Sequence, residues 1–148
     1  MPSAPLFAAI LIAVCGSFIA MQAPINAALS KSIDSTLAAA TISFGVGFFI
    51  LLVITLLSGE GAGLARIPSV PKYLLIGGAL GAVYVWAALW AVPLLGVLTT
   101  TTALILGQMV AALLLDYFGA FGLAPRDVSL QRVVAALLVA AGAVLSRY

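Results

Sequence analysis

The sequence of 148 residues is 65% hydrophobic and 7% charged, with a net charge of +2. A soluble domain carries about 25% charged residues, so this chain cannot coat a water-soluble sphere, and an integral membrane protein is the class its composition leaves. The six Lys and Arg form no cluster, histidine is absent and Cys15 is the one cysteine, so nucleic-acid binding, metal sites, Ser-His-Asp catalysis and internal disulfides lack their usual residues, and no cofactor and no enzyme activity are expected.

A bilayer-crossing helix needs about 20 apolar residues at about 1.5 Å each. The first such run spans Pro5 to Leu29. It is longer than the roughly 7–15 apolar residues of a signal peptide and lacks a positively charged start, so it reads as a retained helix. The polar turn Ser30-Lys31-Ser32-Ile33-Asp34-Ser35 ends it, and Asp34 or Ser35 is placed to cap the next helix. That second helix is predicted over 37–57 and stops at the glycine-rich stretch from Ser58 to Gly63. The loop beyond holds Arg66 and Lys72, kept extended by Pro68 and Pro71.

From Tyr73 to Leu115 come 43 residues without Asp, Glu, Lys, Arg or His. That length is too great for one crossing and fits two. Pro93-Leu94-Leu95-Gly96 offers the reversal, because proline removes a helical donor and glycine relaxes the chain. Pro93 and Gly96 therefore read as the hinge between a third helix, 73–92, and a fourth, 97–116. A loop with Gly119, Gly122 and Pro125 leads to a fifth helix, 129–146. Its uncharged part, Val133 to Ser146, has only 14 residues. It spans only if Arg132 and Arg147 extend their charged ends to the two interfaces. The reading is an all-α membrane protein: one transmembrane domain over 1–148 with five crossings.

Five crossings put the two ends on opposite sides. With the first end inside, the inner loops hold Arg66, Lys72, Arg126 and Arg132, and the outer segments hold Lys31 and Arg147. Cytoplasmic loops are enriched in such residues, but this bias is weak, which suits a chain that inserts both ways round.

In lipid a polar side chain needs a partner, a water-filled cavity or a task. Gln22 and Asn26 stand four residues apart on one face of the first helix, with Pro24 between them. Pro24 removes a donor and loosens the helix near Ala20. Two amides and a freed carbonyl can bind a polar solute; alternatively they lock neighbouring helices together. The third helix carries Tyr84, Trp86 and Trp90, of which Trp86 and Trp90 share a face suited to cations or flat solutes. Trp90 also fits an interfacial anchor. The fourth helix carries Thr99 to Thr102, Gln108 and Asp116. The threonines can bond back to their own helix; Gln108 at mid-helix is harder to dismiss. Asp116 sits at a helix C-terminus, where the dipole disfavours negative charge, a setting for proton coupling. The other reading pairs it with Arg126 or Arg132. Helix contacts in lipid rely on close backbone approach, and Gly77-x-x-x-Gly81, Ala103-x-x-x-Gly107-x-x-x-Ala111 and Ala136-x-x-x-Ala140 offer it, unless these residues stand there only because membrane helices are rich in them.

Together the motifs resemble the YdcZ-like family. Gln22-Ala-Pro-Ile-Asn26, Ser43-Phe-Gly45-Val-Gly47 and Gly77-Gly-Ala-Leu-Gly81-Ala-Val-Tyr84 carry the likeness in the first three helices. Pro93-Leu-Leu-Gly96, Gly107-Gln108 and Asp116-Tyr-Phe-Gly119-Ala-Phe-Gly122 complete it, so it covers nearly the whole chain. The family is a set of short bacterial inner-membrane proteins in the drug/metabolite transporter superfamily. The resemblance implies one five-helix half of a ten-helix inverted-repeat transporter, completed by antiparallel dimerisation with itself or with a paralogue. In such folds the solute site lies at the repeat interface near the membrane midplane. Where the family often has a histidine after the acid, this chain has Tyr117, which argues against a proton role there. The first helix also lacks the acid that the small multidrug exporters of the superfamily use.

The expected function is a secondary carrier working by alternating access, and the resemblance implies export of a small organic metabolite or drug-like compound. Gln22, Asn26 and Gln108 would hydrogen-bond the solute, Tyr84 and Trp86 would stack on it, and Asp116 would sense protons. A solute channel and a non-transporting membrane assembly subunit are the alternatives.

Overall fold

The computed structural model describes residues 4–148. All regular structure among them is helical. In chain order the helices are α1 (Ala4–Ser32), α2 (Thr36–Leu57), a short α3 (Gly61–Ala65), α4 (Ile76–Leu95), α5 (Val97–Phe118) and α6 (Leu130–Leu145). Two 3-10 turns, Ile67–Ser69 and Lys72–Leu75, lead into α4. Among the described residues four helices are long and apolar enough to cross a membrane: α1, α2, the continuous stretch Lys72–Leu95, and α5. The last, α6, has 16 residues. At about 1.5 Å per residue it is roughly 24 Å long, short of the about 30 Å of a hydrocarbon core.

The chain divides into two compact units, the first ending at Pro93 and the second running from Leu94 to Tyr148. In the first, the Ser35 hydroxyl caps α2 by accepting from the Ala38 N–H at 3.2 Å. Asp34, the other candidate cap, instead takes a left-handed φ of 53° that closes the turn, as aspartate does more readily than most residues. α1 outruns its apolar stretch to Ser32. Its polar end is held by the Ser30 hydroxyl, which donates to Thr36 Oγ1 at 3.1 Å. The core of this unit is small: Ala39 and Ala40 of α2 against Val85 and Leu89 of α4, with Leu29 and Tyr84 packed beside them. Gly81 of α4 faces Phe44 of α2, whose ring lies 3.5 Å from where a Cβ would stand, whereas Gly77, the other half of the predicted motif, meets nothing. Most large apolar side chains point outward, Phe48, Leu51 and Leu57 among them. An apolar exterior is intolerable in water and ordinary in lipid.

The chain breaks between α4 and α5 at the single residue Gly96, with φ 81° and ψ 165°, a conformation open essentially to glycine alone. Pro93, predicted to share the hinge, lies inside the last turn of α4, which continues to Leu95. In the second unit α5 ends on Gly119, a left-handed C-cap whose N–H bonds the Asp116 carbonyl at 3.4 Å. A Cβ there would stand 2.7 Å from Pro125 Cγ and 2.8 Å from the Leu123 carbonyl oxygen. Ser129 caps α6 by accepting from the Arg132 N–H at 3.4 Å. The last turn of α5 meets the first of α6, and the first turn of α5 meets the end of α6, so the two helices run antiparallel.

Candidate functional site

In the first unit, Asn26 is 5% exposed. Its Nδ2 donates to Ser43 Oγ at 2.9 Å, joining α1 to α2. Of the two readings open for this amide, a lock between helices is the arrangement present. Gln22, one turn earlier, is exposed. α1 is continuous through Pro24, which has no N–H for the Ala20 carbonyl. Tyr84 is half-buried beside the α2–α4 core. Trp86 is 43% exposed and Trp90 more so.

In the second unit, Gln108 is exposed at mid-helix. Ala103, Gly107 and Ala111 are exposed as well, and a Cβ on Gly107 would meet nothing; Ala136 and Ala140 are half-buried. Asp116 forms an ion pair with Arg132 across the turn between α5 and α6. Its backbone carbonyl also accepts the Arg126 N–H at 2.8 Å, so one residue anchors both the connecting loop and the start of α6. Arg132 reaches back through Nη1 to the Asp127 carbonyl at 3.4 Å. At the other end of the hairpin, Thr99 Oγ1 donates to the Ser146 carbonyl at 2.7 Å. Thr102 Oγ1 lies 3.1 Å from Ser146 Oγ. The same Thr102 hydroxyl bonds back to the Leu98 carbonyl at 3.0 Å, the self-bonding expected of a threonine in a helix. Thr100 is buried, and its hydroxyl has no partner among the described residues.

Sequence reasoning missed two of these partners. Ser43 and Ser146 each look unremarkable in an apolar run. The signal was available: every hydroxyl inside a membrane span needs an acceptor, so Ser43 belonged beside Asn26 as a candidate partner. Two grooves flank Leu113 in the second unit. One, of about 290 Å³, is lined by Val110, Leu113, Leu114, Tyr117 and Val128; the other, of about 170 Å³, by Met109, Ala112, Leu113, Arg132 and Ala135. Neither includes Gln108. Among the described residues no three His, Cys, Asp or Glu side chains come together where they could hold a metal ion.

A family model described as "Putative inner membrane exporter, YdcZ" matches residues 7–145. No curated protein and no solved structure matches the chain.

Proposed function

The chain belongs to the YdcZ family of inner membrane exporters, and from that we propose a secondary-active carrier that moves a small organic metabolite or drug-like compound outward by alternating access, working as an antiparallel dimer. The observation that carries this reading is the exposure of Gln22 and Gln108 on helices of membrane length. An amide facing hydrocarbon without a partner costs several kcal/mol. A second copy that covers these faces would turn them into a cavity lining, and a wet cavity is where an amide is tolerated. The two copies would form one transmembrane domain each, with the solute between them.

In this reading Gln22 and Gln108 meet the solute directly. Trp86, exposed and aromatic, offers it a flat apolar face. Tyr84, half-buried, borders the cavity. Asn26 holds α1 against Ser43, and so sets the face on which Gln22 stands. Gly96 breaks the chain before α5 in a backbone conformation open to glycine; Pro24 and Pro93 weaken α1 and α4 by the donors they lack. The Asp116–Arg132 pair makes Asp116 an anchor of the turn between α5 and α6, and a proton-coupling role would require that pair to open.

The test is solute counterflow in liposomes containing the purified chain, using a compound chosen by its protection of the protein against heat. Saturable counterflow is expected, reduced at least tenfold by Gln22→Leu and by Gln108→Leu, the loss of a specific hydrogen bond to the solute being worth about that much. Undiminished flux in both variants would sink the assignment. The Asn26–Ser43 bond favours one competing reading, a membrane assembly subunit whose polar groups only lock helices. That reading expects no solute to protect the protein and both Gln variants to lower its melting temperature.

A further inference from the structure

We propose that the groove beside Arg132 is a binding site for one membrane phospholipid, with an acyl chain between α5 and α6 and the headgroup phosphate on the guanidinium. The groove, of about 170 Å³, is lined by Met109, Ala112, Leu113 and Ala135, all apolar, and by Arg132. Arg132 stands in the first turn of α6, at the end of the hairpin where α5 and α6 are tied by its pair with Asp116. Its guanidinium has five N–H donors in a fixed fork. One nitrogen is engaged by Asp116 and another reaches the Asp127 carbonyl at 3.4 Å; the remaining donors meet no protein acceptor among the described residues. The side chain is about a third exposed, so these donors are not sealed away. The N-terminus of α6 adds its positive dipole end on the same side.

A phosphodiester supplies what the site lacks. It presents two acceptor oxygens to a planar fork, which Arg binds in bidentate fashion. The acyl chain attached to it covers the apolar walls. The shortness of α6 gives the lipid a structural role. Its 16 residues fall short of the bilayer core, and a headgroup drawn inward to Arg132 removes the mismatch by thinning the bilayer there. The inference is independent of the transport reading, since it concerns the hairpin alone.

The test is native mass spectrometry of the full-length protein released from detergent, with phosphatidylglycerol titrated in. One lipid should be retained more tightly than the rest. Ala135→Phe fills the groove without touching the ion pair, and Arg132→Lys keeps the charge on Asp116 but loses the fork; each should weaken that retention about tenfold. Ala112→Phe, on the facing wall, gives the same test if Ala135→Phe folds poorly. Inorganic phosphate should not displace the lipid. Retention equal to the parent protein in the groove variants and in Arg132→Lys would overturn the proposal, and so would displacement by phosphate alone, which would mean that the guanidinium takes any anion and the groove adds nothing.

Discussion

Asn26 and Thr100 are buried polar side chains with opposite situations. Asn26 is satisfied by Ser43 at 2.9 Å. In membranes such hydrogen bonds are worth about 0.6 kcal/mol on average and about 1.7 at most. Asn26→Ala, Ser43→Ala and the double variant, compared by melting temperature in detergent, should therefore show a coupling of about 0.5–1.5 kcal/mol. Additive effects would mean that the bond does not form in the folded protein. Thr100, 3% exposed, holds a hydroxyl with no partner among the described residues, and an unmade bond at a buried site costs about 1–3 kcal/mol. Thr100→Val keeps the shape and removes the orphan, so it should raise stability by about 1 kcal/mol; a loss of stability would reveal an acceptor for that hydroxyl. The spacing of Gln22 and Asn26 put both amides on one face of α1, and nothing in that spacing distinguished the two. Packing did: α2 covers Asn26 and leaves Gln22 open.

The elements follow the apolar runs because a helix is the one open-chain structure that satisfies its own backbone in lipid. Their ends depend on finer chemistry. Leu29 closed the first apolar run, yet α1 reaches Ser32, since Ser30 and Ser32 have hydroxyls that bond locally, to Thr36 and to the Ala28 carbonyl. The break before α5 falls at Gly96 alone, because only that residue can take its backbone angles. The α5–α6 hairpin is tied at both ends, by Asp116 with Arg132 and by Thr99 and Thr102 with Ser146. Its turn depends on Gly119. There a side chain meets both a left-handed φ of 58° and Pro125 Cγ at 2.7 Å. The backbone term alone is about 1–2 kcal/mol, so Gly119→Ala should destabilise the protein by at least that, read as a fall in melting temperature. Gly122→Ala, also at positive φ but with open space around it, should cost less. Equal losses at the two positions would show that the Pro125 contact does not matter.

For the whole molecule, the decisive quantity is how much apolar surface remains uncovered. Buried residues are few, and exposed Leu, Ile, Val and Phe run the length of α1, α2 and α5. Lipid accounts for that surface, but not for Gln22 and Gln108. The antiparallel dimer that would cover them requires both orientations. With five crossings, Lys and Arg would be divided only weakly between the two sides, Lys31 and Arg147 against Arg66, Lys72, Arg126 and Arg132, and such a bias would not commit the chain to one orientation. Reporters active only in the cytoplasm or only outside it, fused after Tyr148, should both give signal. Signal from one alone would exclude a self-contained antiparallel pair and direct the search to an oppositely inserted partner.

Composition and hydropathy were enough to place this protein in a membrane and to mark the residues that resemble its family; they read five crossings, of which four helices are long and apolar enough among the described residues, while α6 is shorter. Those properties are additive along the chain: about 20 apolar residues in a row make a span whatever surrounds them. Which polar groups face one another is not additive, because it depends on the rotation and register of each helix against its neighbour. The tertiary structure alone could assign Asn26 to Ser43, choose Arg132 over Arg126 for Asp116, join Thr99 and Thr102 to Ser146, and leave Gln22 and Gln108 facing outward.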